Sequence, residues 1–390
     1  MKATNPRFDE LFGHAPEYLF SAPGRTELSG NHTDHQHGCV LAAAVDLEAL
    51  AWVAPNGENV IRIASEGRKP IQIDLDDLTF RPEEQNHSVA LLRGIAARMT
   101  GLGAVLGGFD AYTTNSVMTG SGLSSSAAFE VLLGTIMNHL FCGVRFSAVE
   151  IAQIGQWAEN NYFGKPCGLM DQTASSVGNI IAIDFADPAK PVVEKIDFDF
   201  SACGYALCII DVGANHADLT QAYAAIPAEL KNVCAVFGKD YLREVPEEDF
   251  YARISEVRRA AGDRAVLRAI HIYEENRRVL RQVDALKRND FAEYLREMRA
   301  SGLSSLLYLQ NVTPAGYTEH QEAAFALALA ERLLDGEGAV RIHGGGFAGT
   351  IQAFVPKARL DRFREGMERV LGEGSCHILS IRAKGGCRVE

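Results

Sequence analysis

At 390 residues the chain exceeds the roughly 250–300 residues that one hydrophobic core usually serves, so two domains are expected. Hydrophobic residues at 47% and charged residues at 23%, with 13 Pro and 36 Gly, exclude a disordered or fibrous protein. A formal net charge of −12 argues against nucleic-acid or anionic-membrane partners, although a phosphate-bearing cofactor can bind where backbone amides and a divalent cation supply a local positive field.

In chain order, the opening stretch MKATNPRFDELFGHAPEYLF has no basic segment followed by an apolar one. No run approaches the about 18 apolar residues of a membrane span, and a cytoplasmic location is the expectation. Residues 22 to 35 crowd polar and ionisable side chains around glycines between two apolar runs, which reads as a ligand-recognition loop. Residues 39 to 76 read as strands interrupted by the turn Pro55-Asn56-Gly57. From Ser124 the pattern becomes helical, with Phe129, Leu133, Ile136 and Leu140 on one face. A capping box, Ser147 to Glu150, opens a second helix that Gly164 and Pro166 stop. The pattern breaks at Asp187-Pro188, a strand runs from Tyr205 to Val212, and a domain boundary is expected near 198, giving domains 1–198 and 199–390. Residues 264 to 300 read as a long helical region with a break at Asn289-Asp290. The C-terminal part reads as strand, Gly loop and strand (338–355), helix (357–371) and strand (376–383), an α+β arrangement. The eight cysteines form no C-x-x-C pair and suit reduced thiols.

Four segments carry chemistry. Gly120-Ser121-Gly122-Leu123-Ser124-Ser125-Ser126 stands at the start of an apolar helix, where free amides and the helix dipole attract anions; a plain helix cap has the same physics. Without a Lys it is not a Walker A loop. The 22–35 segment brings His32, His35 and His37, but no second ligand cluster accompanies them, and hydroxyl recognition suits it better than metal. Gly164 to Gln172 places Asp171 in a Gly/Pro-shaped turn, where an isolated carboxylate is more often a helix N-cap than a catalytic group. His343 to Gly349 contains G-x-G-x-x-G, but a strand follows it and the dinucleotide fingerprint fails.

Together these segments resemble the galactokinase branch of the GHMP small-molecule kinases, from residue 22 to residue 350. The family's sugar motif A-P-G-R-V-N-L-I-G-E-H-T-D-Y is similar to Ala22 through His35, and its phosphate loop P-x-G-x-G-L-S-S-S-A matches from Met118, with Met for Pro. C-G-x-M-D-Q stands at Cys167 to Gln172, Glu159 lies twelve residues before Asp171, and Tyr223 lies seven after His216. The C-terminal glycine motif is a looser match at Arg341 to Gly349.

The resemblance implies a two-domain GHMP kinase fold with an interdomain active site, and ATP-dependent phosphorylation of the C1 hydroxyl of a hexose, galactose first. It implies Asp171 as proton acceptor or charge organiser and Arg25 as its partner. Asn31, His32, Asp34, Gly168 and Tyr223 would bind sugar. Residues Gly120, Ser121, Gly122, Leu123, Ser124, Ser125 and Ser126 would cradle ATP, with Ser125 and Glu159 holding Mg²⁺. Two positions depart from the pattern: the family's Glu is Asn31, and its Asn four positions earlier is Glu27. Kinases for a uronic acid, N-acetylhexosamine or pentose, and a non-catalytic sugar and ATP sensor, are the alternative readings.

Overall fold

The structure is a computed structural model that describes residues 4–118, 122–213, 219–347 and 349–389. Two sheets organise it. The N-terminal part contributes β1 (Tyr18–Ser29), β2 (Cys39–Pro55), β3 (Val60–Ser65), β4 (Ile71–Asp74), β5 (Phe109–Asn115), β6 (Ile180–Asp184) and β7 (Val192–Ile196). The C-terminal part contributes β8 (Tyr205–Asp211), β9 (Ala339–Ile342), β10 (Thr350–Pro356), β11 (Cys376–Leu379) and β12 (Cys387–Arg388). The larger sheet runs β12-β1-β2-β5-β3-β4, with β6 pairing β2 and β7 pairing β6; the smaller runs β11-β8-β10-β9. We propose to keep the division near residue 198, in the connection between β7 and β8. The chain end then crosses back, through a bridge between Val45 and Ile381 and through β12 on β1.

Helices α1 (Pro6–Phe12), α2 (Ser88–Gly101), α3 (Ser125–Phe141), α4 (Ala148–Ala158) and α5 (Met170–Val177) belong to the first part. Helices α3 and α5 pack directly on β1 and β2. Because α3 is apolar almost all round, it is buried from Ala127 through Asn138 except at Phe129, as a helix without a polar face must be. The expected capping box forms at the start of α4, where Ser147 and Glu150 satisfy each other's backbone donors.

The second part holds α6 (Thr220–Ala235), α7 (Glu247–Ala252), α8 (Ile254–Ala261), α9 (Asp263–Lys287), α10 (Phe291–Ser304), α11 (Glu322–Leu334) and α12 (Leu360–Leu371). The break expected at Asn289-Asp290 separates α9 from α10: Asn289 takes φ 57°, and the Asp290 carboxylate caps the Glu293 amide at 3.0 Å. Among the described residues no helix is long and apolar enough to cross a membrane.

One expectation changes. Residues 22 to 29 are not loop but the end of β1, paired with β2 through bulges at Pro23/Arg25 and Glu27/Ser29. Polar residues hid the strand because Ser21, Arg25, Thr26, Glu27 and Ser29 are all buried and hydrogen-bonded to residues distant in the chain rather than forming a solvated face.

Candidate active site

The end of β1, the turn after it, the loop that leads into α5, the start of α5, the residues around the start of α6 and the loop between β9 and β10 converge on a cavity of about 410 Å³. Arg25, Glu27, His32, Asp34, Gly168, Asp171 and Tyr223 line it, together with His35, Lys165 and the glycines 344 to 346.

At one end Arg25 grips Asp171 with both arms of its guanidinium, Nε to Oδ1 at 2.7 Å and Nη2 to Oδ2 at 2.6 Å. Its third nitrogen donates to the Gly122 carbonyl. Asp171 is not a helix cap: Leu169 holds that position in α5, and Asp171 sits in the first turn. Burial pushes the Asp171 carboxyl up, but Arg25 and the Ser124 hydroxyl, which donates to Oδ2 at 2.7 Å, more than offset it and leave it below the usual carboxylate range. Burial would lower Arg25, and Asp171 reverses that as well.

Ser124 adopts φ 58°, ψ 66° at the N-cap of α3 and makes no capping bond with its side chain. Its hydroxyl serves Asp171 instead, so the first amides of α3, at Ser125 and Ser126, keep the orphan donors that an anion can take. The Leu123 side chain is fully buried, and its carbonyl accepts from the Arg25 amide at 3.0 Å. Gly122 has φ +69°, and a Cβ there would lie 2.9 Å from both His343 Nδ1 and Thr350 Oγ1. Gly120 and Ser121 lie outside the described residues, as does His216.

Beside Asp171 on α5, Gln172 donates at 3.0 Å to both Glu130 and Glu159, two buried acids from α3 and the end of α4. Lys165 stands 3.7 Å from Glu159. Burial, and then the charge of Glu159, push Glu130 well above the usual carboxyl range. Glu130 went unnoticed in the sequence, though one acid inside the apolar run Phe129 to Leu133 was a signal.

At the other end His32, at φ 62°, bonds through Nε2 to the Gly345 carbonyl at 3.0 Å. Because a carbonyl only accepts, Nε2 carries the proton and Nδ1 is a bare acceptor, buried with no protein partner. Burial, and then His35, push the His32 pKa down to about 3, so the ring is neutral. Asp34 accepts from the His35 amide at 2.9 Å, and a Cβ at Gly168 would collide with its carboxylate, so glycine is what lets the two loops meet. Tyr223, on α6, places its hydroxyl 3.2 Å from His35 Nε2.

Asn31 is the exception among the expected sugar contacts. It is fully buried and does not line the cavity: its amide nitrogen donates to Glu27 at 3.1 Å and to the Gly344 carbonyl, and its oxygen accepts from Asn311 at 2.7 Å. Every strong polar direction of the side chain is used within the protein, which turns it away from any ligand.

The chain is similar to known proteins over most of its length. The galactokinase galactose-binding signature matches residues 6–55, and the GHMP kinase N-terminal domain matches residues 89–179. A galactokinase of Streptomyces coelicolor is 31% identical over 370 residues, covering 93% of this chain and 90% of that protein. The chain belongs to the galactokinase family. A galactokinase of Actinobacillus pleuropneumoniae is 30% identical over 368 residues, covering 92% of this chain and 90% of its own length. The crystal structure of Lactococcus lactis galactokinase complexed with galactose superposes with a TM-score of 0.83 at 25% identity, over 98% of both chains. A mevalonate kinase shares the fold at a TM-score of 0.65 and 14% identity, over 94% of this chain and 99% of that one. This galactokinase-family chain is therefore a GHMP-fold sugar kinase that uses ATP, and its cavity lies between the two sheet-centred parts.

Proposed function

We propose that the chain transfers the γ-phosphoryl group of ATP to the C1 hydroxyl of galactose. The observation that carries this reading is the set of carboxylate acceptors that line one cavity, Glu27, Asp34 and Asp171, with the neutral His32 beside them. A neutral polyol offers a donor to each, whereas the carboxylate of a uronic acid would meet acids. Two alternatives lose support on the same ground, since the Asn31 amide hydrogens, the donors such a carboxylate or an acetamido oxygen would need, are already spent.

In the proposed mechanism Asp171 accepts the C1 proton as the new oxygen–phosphorus bond forms and the bond to the ADP leaving oxygen breaks. Held ionised by Arg25, Asp171 is placed to receive that proton or to organise the charge around it. Arg25 keeps Asp171 ionised and offers charge to the transferring group. The amides of residues 122 to 126 face the ATP phosphates, and His32, Asp34, Gly168 and Tyr223 shape the sugar end.

The residues fit Mg²⁺. Glu159 and Glu130 are buried acids, Glu130 Oε1 and Gln172 Oε1 lack partners, and hard oxygens of this kind suit a divalent cation. Ser125 and Glu159 would hold it, and it would neutralise charge on the ATP phosphates. The cytosol is the proposed location, in keeping with eight free cysteines. Measuring ADP release over galactose, galacturonate, N-acetylgalactosamine and a pentose tests the reading: galactose should dominate. Binding of ATP and galactose without ADP release would make the chain a sensor instead.

A further inference from the structure

We infer that Glu27 is the residue that selects the sugar at the end of the cavity remote from the transferred phosphate, and that residue 31 takes no direct part in recognition. This rests on the galactose reading above. Between Arg25 and Glu27 the pairing of β1 with β2 is regular, Arg25 opposite Ala44 and Glu27 opposite Ala42, so the two side chains point to the same face. They stand about 7 Å apart along the strand, the scale of one pyranose ring. Arg25 holds Asp171 where C1 reacts; Glu27 therefore meets a hydroxyl on the far side of the ring.

The Glu27 carboxylate is built to be held from behind. Its Oε1 accepts from Arg341 at 2.9 Å and from Asn31 at 3.1 Å, and its backbone carbonyl accepts from Arg341 at 2.8 Å and Gln352 at 2.9 Å. Among the described residues Oε2 has no protein donor, while the side chain lines the cavity. One oxygen is thus anchored and the other is offered to a ligand, the arrangement that orients a hydrogen-bond acceptor at little entropic cost.

Asn31 and Glu27 form a matched amide–carboxylate pair. A glutamate at position 31 beside Glu27 would press two buried acids together where an amide now donates. The two departures from the family motif are therefore one exchange, with the acid moved from the turn onto the strand. The acceptor then approaches the sugar from the side of Arg341 rather than from the turn.

Steady-state kinetics on galactose and its monodeoxy analogues test the inference, with wild type, Glu27→Gln, Glu27→Asp, Asn31→Glu and the Glu27→Asn/Asn31→Glu pair, each checked by thermal melting. Glu27→Gln should raise KM for galactose about 10- to 100-fold, the scale of a charge-assisted hydrogen bond, with KM for ATP unchanged. That penalty should vanish on the one deoxygalactose that lacks the hydroxyl Glu27 receives. Asn31→Glu alone should lower Tm and weaken galactose binding, and the double exchange should recover Tm but not galactose binding, because residue 31 does not line the cavity. If Glu27→Gln does not fold, Glu27→Asp keeps the charge but withdraws it, and should show the same analogue-dependent penalty. An equal penalty on every analogue, or an unchanged KM, overturns the inference while leaving galactose phosphorylation intact. No galactose turnover by wild type overturns the galactose reading and the inference together.

Discussion

Asp171, at the cavity, and the buried Arg25 form one ion-paired unit, and substitutions at either are expected to act on both charge and chemistry. Asp171→Asn should cut kcat at least about 100-fold by removing the acceptor of the C1 proton. It should also lower Tm, because Arg25, with a side chain only 8% exposed, loses its counter-charge. Turnover near wild type in the folded variant would exclude the proposed role. At Gly122 the expected failure comes from the protein itself: with φ +69° and His343 and Thr350 at 2.9 Å, even Gly122→Ala should destabilise the fold and weaken ATP binding. A melt and a calorimetric titration with an ATP analogue separate these effects, and unchanged values in both would contradict the geometry.

Helix α9 clamps the turn after β1, which carries the proposed sugar contacts His32 and Asp34. Its Glu275 accepts from the Gly30 amide at 3.2 Å, the Ser29 hydroxyl at 3.4 Å and the Ser301 hydroxyl at 2.7 Å, and pairs with Arg278. His271 and Asn276 reach the Asn31 carbonyl and the Cys39 amide at 3.1 and 2.7 Å. Glu275→Ala should therefore raise KM for the sugar and lower Tm while sparing KM for ATP; an effect on ATP alone would show that the clamp does not govern the sugar turn. The sequence showed α9 by its 3.6-residue apolar period, and it showed β2, α3, α4 and β8 to β11 for similar reasons of periodicity and punctuation. It could not show that β1 continues through Arg25 and Glu27, since those buried polar positions owe their burial to partners some 150 to 310 residues away, such as Asp171 and Arg341. The same distance explains why Asn31 was read as a sugar contact: nothing local reveals that Gly344 and Asn311 occupy its amide.

At the scale of the whole molecule, the two parts are joined by neutral buried histidines. His343 accepts from the Glu27 amide at 3.3 Å and meets Thr26 at 3.0 Å and Thr350 at 2.9 Å, and burial, then Arg25, hold it well below the ordinary histidine range. His32, at about 3, offers the clearest test. In the unfolded chain it gains a proton near pH 6.5. Below that the unfolded state binds more protons than the native one, and His32-linked stability is lost as pH falls toward about 3, by about 2 kcal/mol already at pH 5. The Tm gap between wild type and His32→Asn should therefore narrow between pH 7.5 and 5; parallel curves would contradict a neutral His32. The central claim, a sugar kinase acting at C1 of galactose, is tested most directly by proton-coupled phosphorus NMR of the product made from ATP and galactose by the purified protein. A new phosphomonoester resonance coupled to the anomeric proton, absent with Asp171→Asn, is the predicted result. A resonance coupled to any other sugar proton, or inorganic phosphate alone, would contradict it.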